Sequence, residues 1–84
     1  MKLFNIPNAE RFLRKVMACS GSARFIEADG KVSDLKAMAQ SLIQSGMASR
    51  IGGIDEIDLS LEDHADAIML MNYAAEMNRG GQAA

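Results

Sequence analysis

Two apolar periodicities alternate along this chain, and together they leave few ways to fold it. Apolar residues recur at helical spacing in three stretches, while shorter runs between them show the two-residue alternation of strands. The first helical stripe is Ala9, Phe12, Leu13, Val16 and Met17, continued by Ser20. Glu10 and Arg14 lie four apart on the other face, in the favourable order. Pro7 suits a first helical turn, where its missing N–H has no partner, and Asn8 is the competing candidate for the N-cap. With Gly21 as a stop, the spacing predicts a helix over residues 7–19.

The second stripe is Leu35, Met38, Ala39, Leu42, Ile43 and Met47. It predicts a helix over 34–46, capped by Ser33 or Asp34 and ended or loosened by Gly46. The third is Ala67, Ile68, Leu70, Met71, Ala74, Ala75 and Met77, with Ser60 or Asp63 as cap. Glu62 and Asp63 suit the positive end of that helix dipole and Arg79 the negative end. Gly80-Gly81 is the expected stop, with 80–84 as a frayed tail.

Between the first two helices, residues 22–27 and 31–35 flank Ala28-Asp29-Gly30. Asp-Gly between strand-like runs marks a hairpin, because the turn needs a positive φ that glycine supplies. Further on, Ile57, Leu59 and Leu61 alternate with Glu56, Asp58 and Ser60, which reads as a strand with one wet, acidic face. Ala48-Ser49-Arg50-Ile51-Gly52-Gly53 reads as a flexible connector. The expected order is therefore α-β-β-α-β-α. An α+β domain with three helices on one face of a small antiparallel sheet is the simplest arrangement that buries every stripe.

At 84 residues the chain fits one domain. A domain of this size buries only about 60% of its unfolded surface, so its core is thin. Seven methionines beside three Phe, one Tyr and no Trp point to a soft, Met-filled interior, or to an adaptable contact surface. The net charge is -2 and no Lys/Arg run exceeds Arg14-Lys15, which argues against nucleic-acid binding. A lone cysteine, Cys19, makes no internal disulfide. No apolar run approaches the roughly 20 residues that span a bilayer, and the N-terminus turns polar too soon for a signal peptide. A cytoplasmic protein without membrane contact is the expectation.

Several local stretches, in this order, resemble HPr, the histidine-containing phosphocarrier of the bacterial sugar phosphotransferase system. Phe12-Leu13-Arg14-Lys15 is similar to the stretch of that family's first helix, and Asp29-Gly30-Lys31 to its Asn-Gly-Lys turn. Asp34-Leu35-Lys36-Ala37-Met38 resembles the entry to its second helix, Gly46-Met47 its Leu-Gly-Leu, and Asp66-Ala67 part of a Glu-Asp-Ala run. The resemblance spans about residues 5–78. It implies the order strand, helix, hairpin, helix, strand and long C-terminal helix, and a phosphoryl group carried on the histidine of a His-x-Arg-Pro motif. Here Asn5 or Ile6 stands at the histidine position, depending on a one-residue gap, and neither has a nucleophilic ring nitrogen. The motif arginine is missing, since no basic residue lies between Lys2 and Arg11, and Pro7 is a shifted remnant of the proline. The family's regulatory serine aligns with Ala37, which has no hydroxyl.

The six residues before Pro7 are too few for both the family's opening strand and its active-site loop, so that edge strand is expected to be missing or vestigial. The strand bearing Ile57, Leu59 and Leu61 would then have an open edge, paired in a homodimer or covered by an N-terminal arm formed by residues 1–6.

Other chemistry is sparse. His64, the only histidine, sits between Asp63 and Asp66 at a helix start and reads first as a surface residue, second as a relocated phosphoacceptor. Cys19, near a helix C-terminus, reads as a small buried hydrophobe, because the dipole there disfavours a thiolate. One Cys and one His give no chelating spacing, so neither metal nor cofactor is expected. Asp55, Glu56, Asp58, Glu62, Asp63 and Asp66 read as a solvated acidic face and do not match a calcium loop. Gly52-Gly53 lacks the Lys-Ser/Thr of a phosphate-binding loop. In HPr, apolar residues of the second helix and its trailing loop dock onto partners. The resemblance therefore makes Met38, Met47 and Ile51 candidate contacts, Met38 foremost. The leading expectation is a non-enzymatic interaction or regulatory module that binds a protein of the phosphotransferase system or a related regulator. The alternatives are an active phosphocarrier using His64 or another acceptor, and a structural domain that keeps only the fold.

Overall fold

The computed structural model describes the backbone of residues 1–83 and the side chains of residues 1–77. The elements run β1 (Lys2–Ile6), α1 (Ala9–Met17), β2 (Ala23–Ile26), β3 (Val32–Asp34), α2 (Leu35–Gln44), α3 (Ala48–Ile51), β4 (Ile54–Leu61) and α4 (His64–Ala83). The strands form one antiparallel sheet in the order β1-β4-β2-β3.

Local chemistry sets most of the element ends. Asn8 is the N-cap of α1, its side-chain oxygen accepting from the Arg11 N–H at 3.1 Å. Asp34 caps α2 by accepting from the Ala37 N–H at 3.1 Å. Asp63 precedes α4 and accepts from the Ala65 N–H at 2.9 Å. Each such oxygen satisfies a donor that has no partner within the helix. The hairpin between β2 and β3 turns at Gly30, with φ 87. The Asp29 carboxylate steadies the turn by accepting from the Lys31 N–H at 2.9 Å.

The opening strand is present, contrary to the expectation of a missing or vestigial one. β1 pairs with β4 in the register Lys2 with Asp58, Leu3 with Ile57, Phe4 with Glu56 and Ile6 with Ile54. Asn5 takes a left-handed backbone, φ 55. That twist changes the phase of the strand, so Leu3 and Ile6 are both buried although they are three apart. Asparagine adopts this conformation more readily than most residues, which makes the phase change affordable. β1 covers one side of β4 and β2 the other, so the central strand has no free edge at Leu59 for a second copy to pair with. Of the two covers expected for that edge, a second copy or an N-terminal arm, the structure has the arm, and nothing in it supports the homodimer.

Two further expectations change. The connector at 48–53 holds a one-turn helix, α3, because Ala48 is drawn into the core at 1% exposure. α4 continues through Gly80-Gly81 to Ala83, so most of the expected frayed tail is helical. Glycine costs a helix only about 1 kcal/mol per residue. The side chain of Arg79, proposed for the helix end, lies outside the described residues.

The core joins Leu3, Ala23 and Leu59 of the sheet to Phe12, Leu13 and Val16 of α1, Leu35 and Ala39 of α2, and Leu70 and Ala74 of α4. Phe25, Ile57 and Leu61 are half-buried against it, sharing the strand face of Leu59. The alternate positions face away from that core. Lys2 and Glu56 make a 3.2 Å ion pair there, and Phe4 and Val32 are 51% and 53% exposed.

Candidate functional site

The front of α1 is where the resemblance places a phosphoacceptor. Asn5 is exposed there and Ile6 is 1% exposed, its side chain in the core. The Ala9 N–H donates to the Gly52 carbonyl at 2.7 Å, which ties the start of α1 to the end of α3. Gly53 fits closely behind: a Cβ there would meet the Ile6 carbonyl oxygen at 3.0 Å. Of the Gly52-Gly53 pair, Gly52 turns the chain out of α3 at φ 77 and Gly53 allows the close approach to the β1–α1 junction.

Of the three candidate contact residues, Met47 and Ile51 are exposed at 46% and 44%, bracketing α3. Met38 is half-buried against the core. It lies within α2, whereas Met47 follows the end of that helix and the positive-φ Gly46. Met38 also lines a groove with Phe25 and Ile57, so the structure separates it from the other two. Ala37, at the regulatory-serine position, is exposed in the first turn of α2. His64 is exposed at the first position of α4.

Cys19 is 5% exposed, and burial, followed by the nearby Asp66 carboxylate, pushes its thiol up from the ordinary value. This is the setting of a packing residue, in keeping with the reading from sequence.

Sequence reasoning missed Asp66. It was grouped with the solvated acids, yet it is 6% exposed. Its two carboxylate oxygens accept from the Ser20 N–H at 3.1 Å and the Gly21 N–H at 2.9 Å. Those backbone donors hold its carboxyl below the usual range, with a smaller contribution from Lys36. The Lys36 ammonium donates to the Cys19 carbonyl beside it. The loop leaving α1 is therefore pinned from both sides, by α4 and by α2. The signal was present in the helical spacing: Asp66 stands four residues before Leu70 and eight before Ala74, both buried. The apolar residues of α4 encircle it more than expected, and Ile68 and Met71, counted in the buried stripe, are 46% and 51% exposed.

Among the described residues no group of three or more His, Cys, Asp or Glu side chains is disposed to hold a metal ion. No described helix is long and apolar enough to cross a membrane. An open cleft of about 390 Å³ beside the pinned loop is lined by Ser20, Ser22, Arg24 and Lys36 together with Asp34 and Glu62. Its mixed charges select no single ligand class. In comparisons with protein-family models, curated proteins and solved structures, nothing matches this chain.

Proposed function

We propose that this chain is a non-enzymatic protein-interaction module built on the HPr-like plan, which docks a partner through Met47 and Ile51 without carrying phosphate. The observation that carries the reading is the pair of exposed apolar side chains around α3, beside a helix start whose phosphoacceptor positions hold Asn5 and Ile6. An amide and a buried alkyl chain offer no ring nitrogen to form a phosphoramidate. Flexible methionine and aliphatic side chains suit an adaptable contact. The element order supports the plan: a strand, a helix, a hairpin, a helix, a strand and a long helix, with α3 as one added turn. The core also collects residues of α1, α2 and α4 around the Leu3, Ala23 and Leu59 face of the sheet, in keeping with helices layered on one side.

Two measurements test this. Incubation with phosphoenolpyruvate and the first enzyme of the phosphotransferase system is expected to leave the mass unchanged. A gain of one phosphate, abolished by His64→Ala, would replace the reading with that of a relocated phosphocarrier. Titration with the same enzyme, followed by methyl NMR, is expected to shift Met47 and Ile51 signals. Met47→Asp and Ile51→Asp should each weaken that binding at least about tenfold, as hot-spot residues do. No shift at these methyls would leave a domain that keeps only the fold.

A further inference from the structure

The ladder between β4 and β2 stops early. Its last pair is Ile26 with Asp58, whereas β4 continues for four more residues to Ile54. Backbone groups on an antiparallel strand point alternately to either side. The Leu59 N–H donates toward Met1 on the β1 side, at 2.7 Å. Counting back by alternation, the N–H and C=O of Glu56 and Ile54 point toward the β2 side, beyond the last β2 pair. There the β2–β3 hairpin has turned away, and a groove of about 700 Å³ opens. Phe25, Met38 and Ile57 line it together with Glu27, Glu56 and Asp58; Glu56 pairs with Lys2 at 3.2 Å and Asp58 with the N-terminal ammonium at 3.4 Å, which leaves one negative charge in excess.

We infer that this groove binds an extended peptide segment of a partner protein, in which apolar residues alternate with Lys or Arg. A segment added beside β4 takes the Glu56 backbone as its hydrogen-bonding partner, as in strand addition to a sheet edge. Its side chains then alternate between the two faces of the sheet. Those on the core side meet Phe25, Met38 and Ile57, and those on the outer side meet Glu56 and Asp58, where a peptide cation takes the place of Lys2 or of the N-terminal ammonium. Apolar and cationic residues in strict alternation are what these two linings complement. Glu27, which accepts from the Ser33 hydroxyl at 3.2 Å, closes the hairpin end with a further negative charge. This surface is separate from the Met47 and Ile51 contact, and its test is independent of that one.

The probe is a fluorescein-labelled Lys-Val-Lys-Val-Lys peptide, titrated against the full chain by fluorescence anisotropy, with Glu-Val-Glu-Val-Glu as control. Saturable binding of the basic peptide below about 1 mM is expected, weakening with added salt. Amide shift changes should centre on Ala28, Ile54 and Glu56. Glu56→Lys and Glu27→Lys, both at exposed positions, should each weaken binding at least about tenfold while the circular dichroism spectrum is retained. The inference is overturned if the basic peptide shows no saturation by about 1 mM. Equal binding of the acidic peptide, unchanged affinity in both lysine variants, or shifts confined to another surface would overturn it as well.

Discussion

Replacing Phe12 with alanine removes the largest side chain in the core. Phe12 is fully buried and belongs to the cluster that joins both sheet and helices. Deleting a buried phenylalanine ring costs about 3–5 kcal/mol, through lost transfer energy plus the cavity left behind. At about 0.05–0.15 kcal/mol per residue, the 84-residue chain is held by only about 4–13 kcal/mol in all. One substitution therefore removes about a quarter of the stability or more. In urea, followed by circular dichroism at 222 nm, a small domain has m near 1 kcal/mol/M, so the midpoint should fall by roughly 3–5 M or the variant should be unfolded at the outset. Phe12→Leu, costing about 1 kcal/mol, keeps the effect measurable in the second case. Met71→Ala serves as the contrast: at 51% exposure it should shift stability by no more than about 0.5 kcal/mol. A Phe12→Ala loss below about 1 kcal/mol at unchanged m would refute the placement of this ring at the centre of the core.

Further outcomes follow from the same structure. Ile6→Ala should cost about 2–4 kcal/mol in the same urea assay, because Ile6 is 1% exposed; a negligible loss would mean that β1 is not docked. Asp66→Asn should destabilise the fold at neutral pH, and the difference from the parent should shrink on acidification. The folded carboxyl is held below its unfolded value, so its contribution is complete above an unfolded pKa of about 3.9 and is lost as pH falls through the folded value. Equal unfolding curves for the two proteins from pH 7 to pH 3 would contradict the pinning of the α1–β2 loop. The Cys19 thiol, buried and raised in pKa, should react with a thiol-specific disulfide reagent at pH 7 far more slowly in the native protein than in denaturant.

How legible this fold was in the sequence depended on whether a signal was local. The stripe of α1, its Asn8 cap, the Asp29-Gly30 turn and the Ile57, Leu59, Leu61 alternation all rest on neighbours within a few residues, and the structure has each of them. The misreadings are non-local. β1 was discounted because six residues are too few for a strand and the loop that the resemblance implies, whereas the chain passes from β1 into α1 with almost no loop and pairs with β4 throughout. Asp66 looked like one more surface acid because the donors it satisfies lie 45 and 46 residues away. Met38 and Met47 share an apolar stripe in sequence, yet one falls in a groove and the other on the surface beyond α2. Helical spacing assigns a face of the helix but not how far the neighbouring elements extend along it.

The place of β4 between β1 and β2 bears on how the chain is made. β2 is complete at Ile26, but the strand that must lie between it and β1 is complete only at Leu61. At about 5–20 residues per second, a ribosome takes roughly 2–7 s to make that interval. For this time the nascent chain carries two strands whose inner edges await the same late arrival. The native sheet should therefore form only once β4 has been made and is free to enter between them.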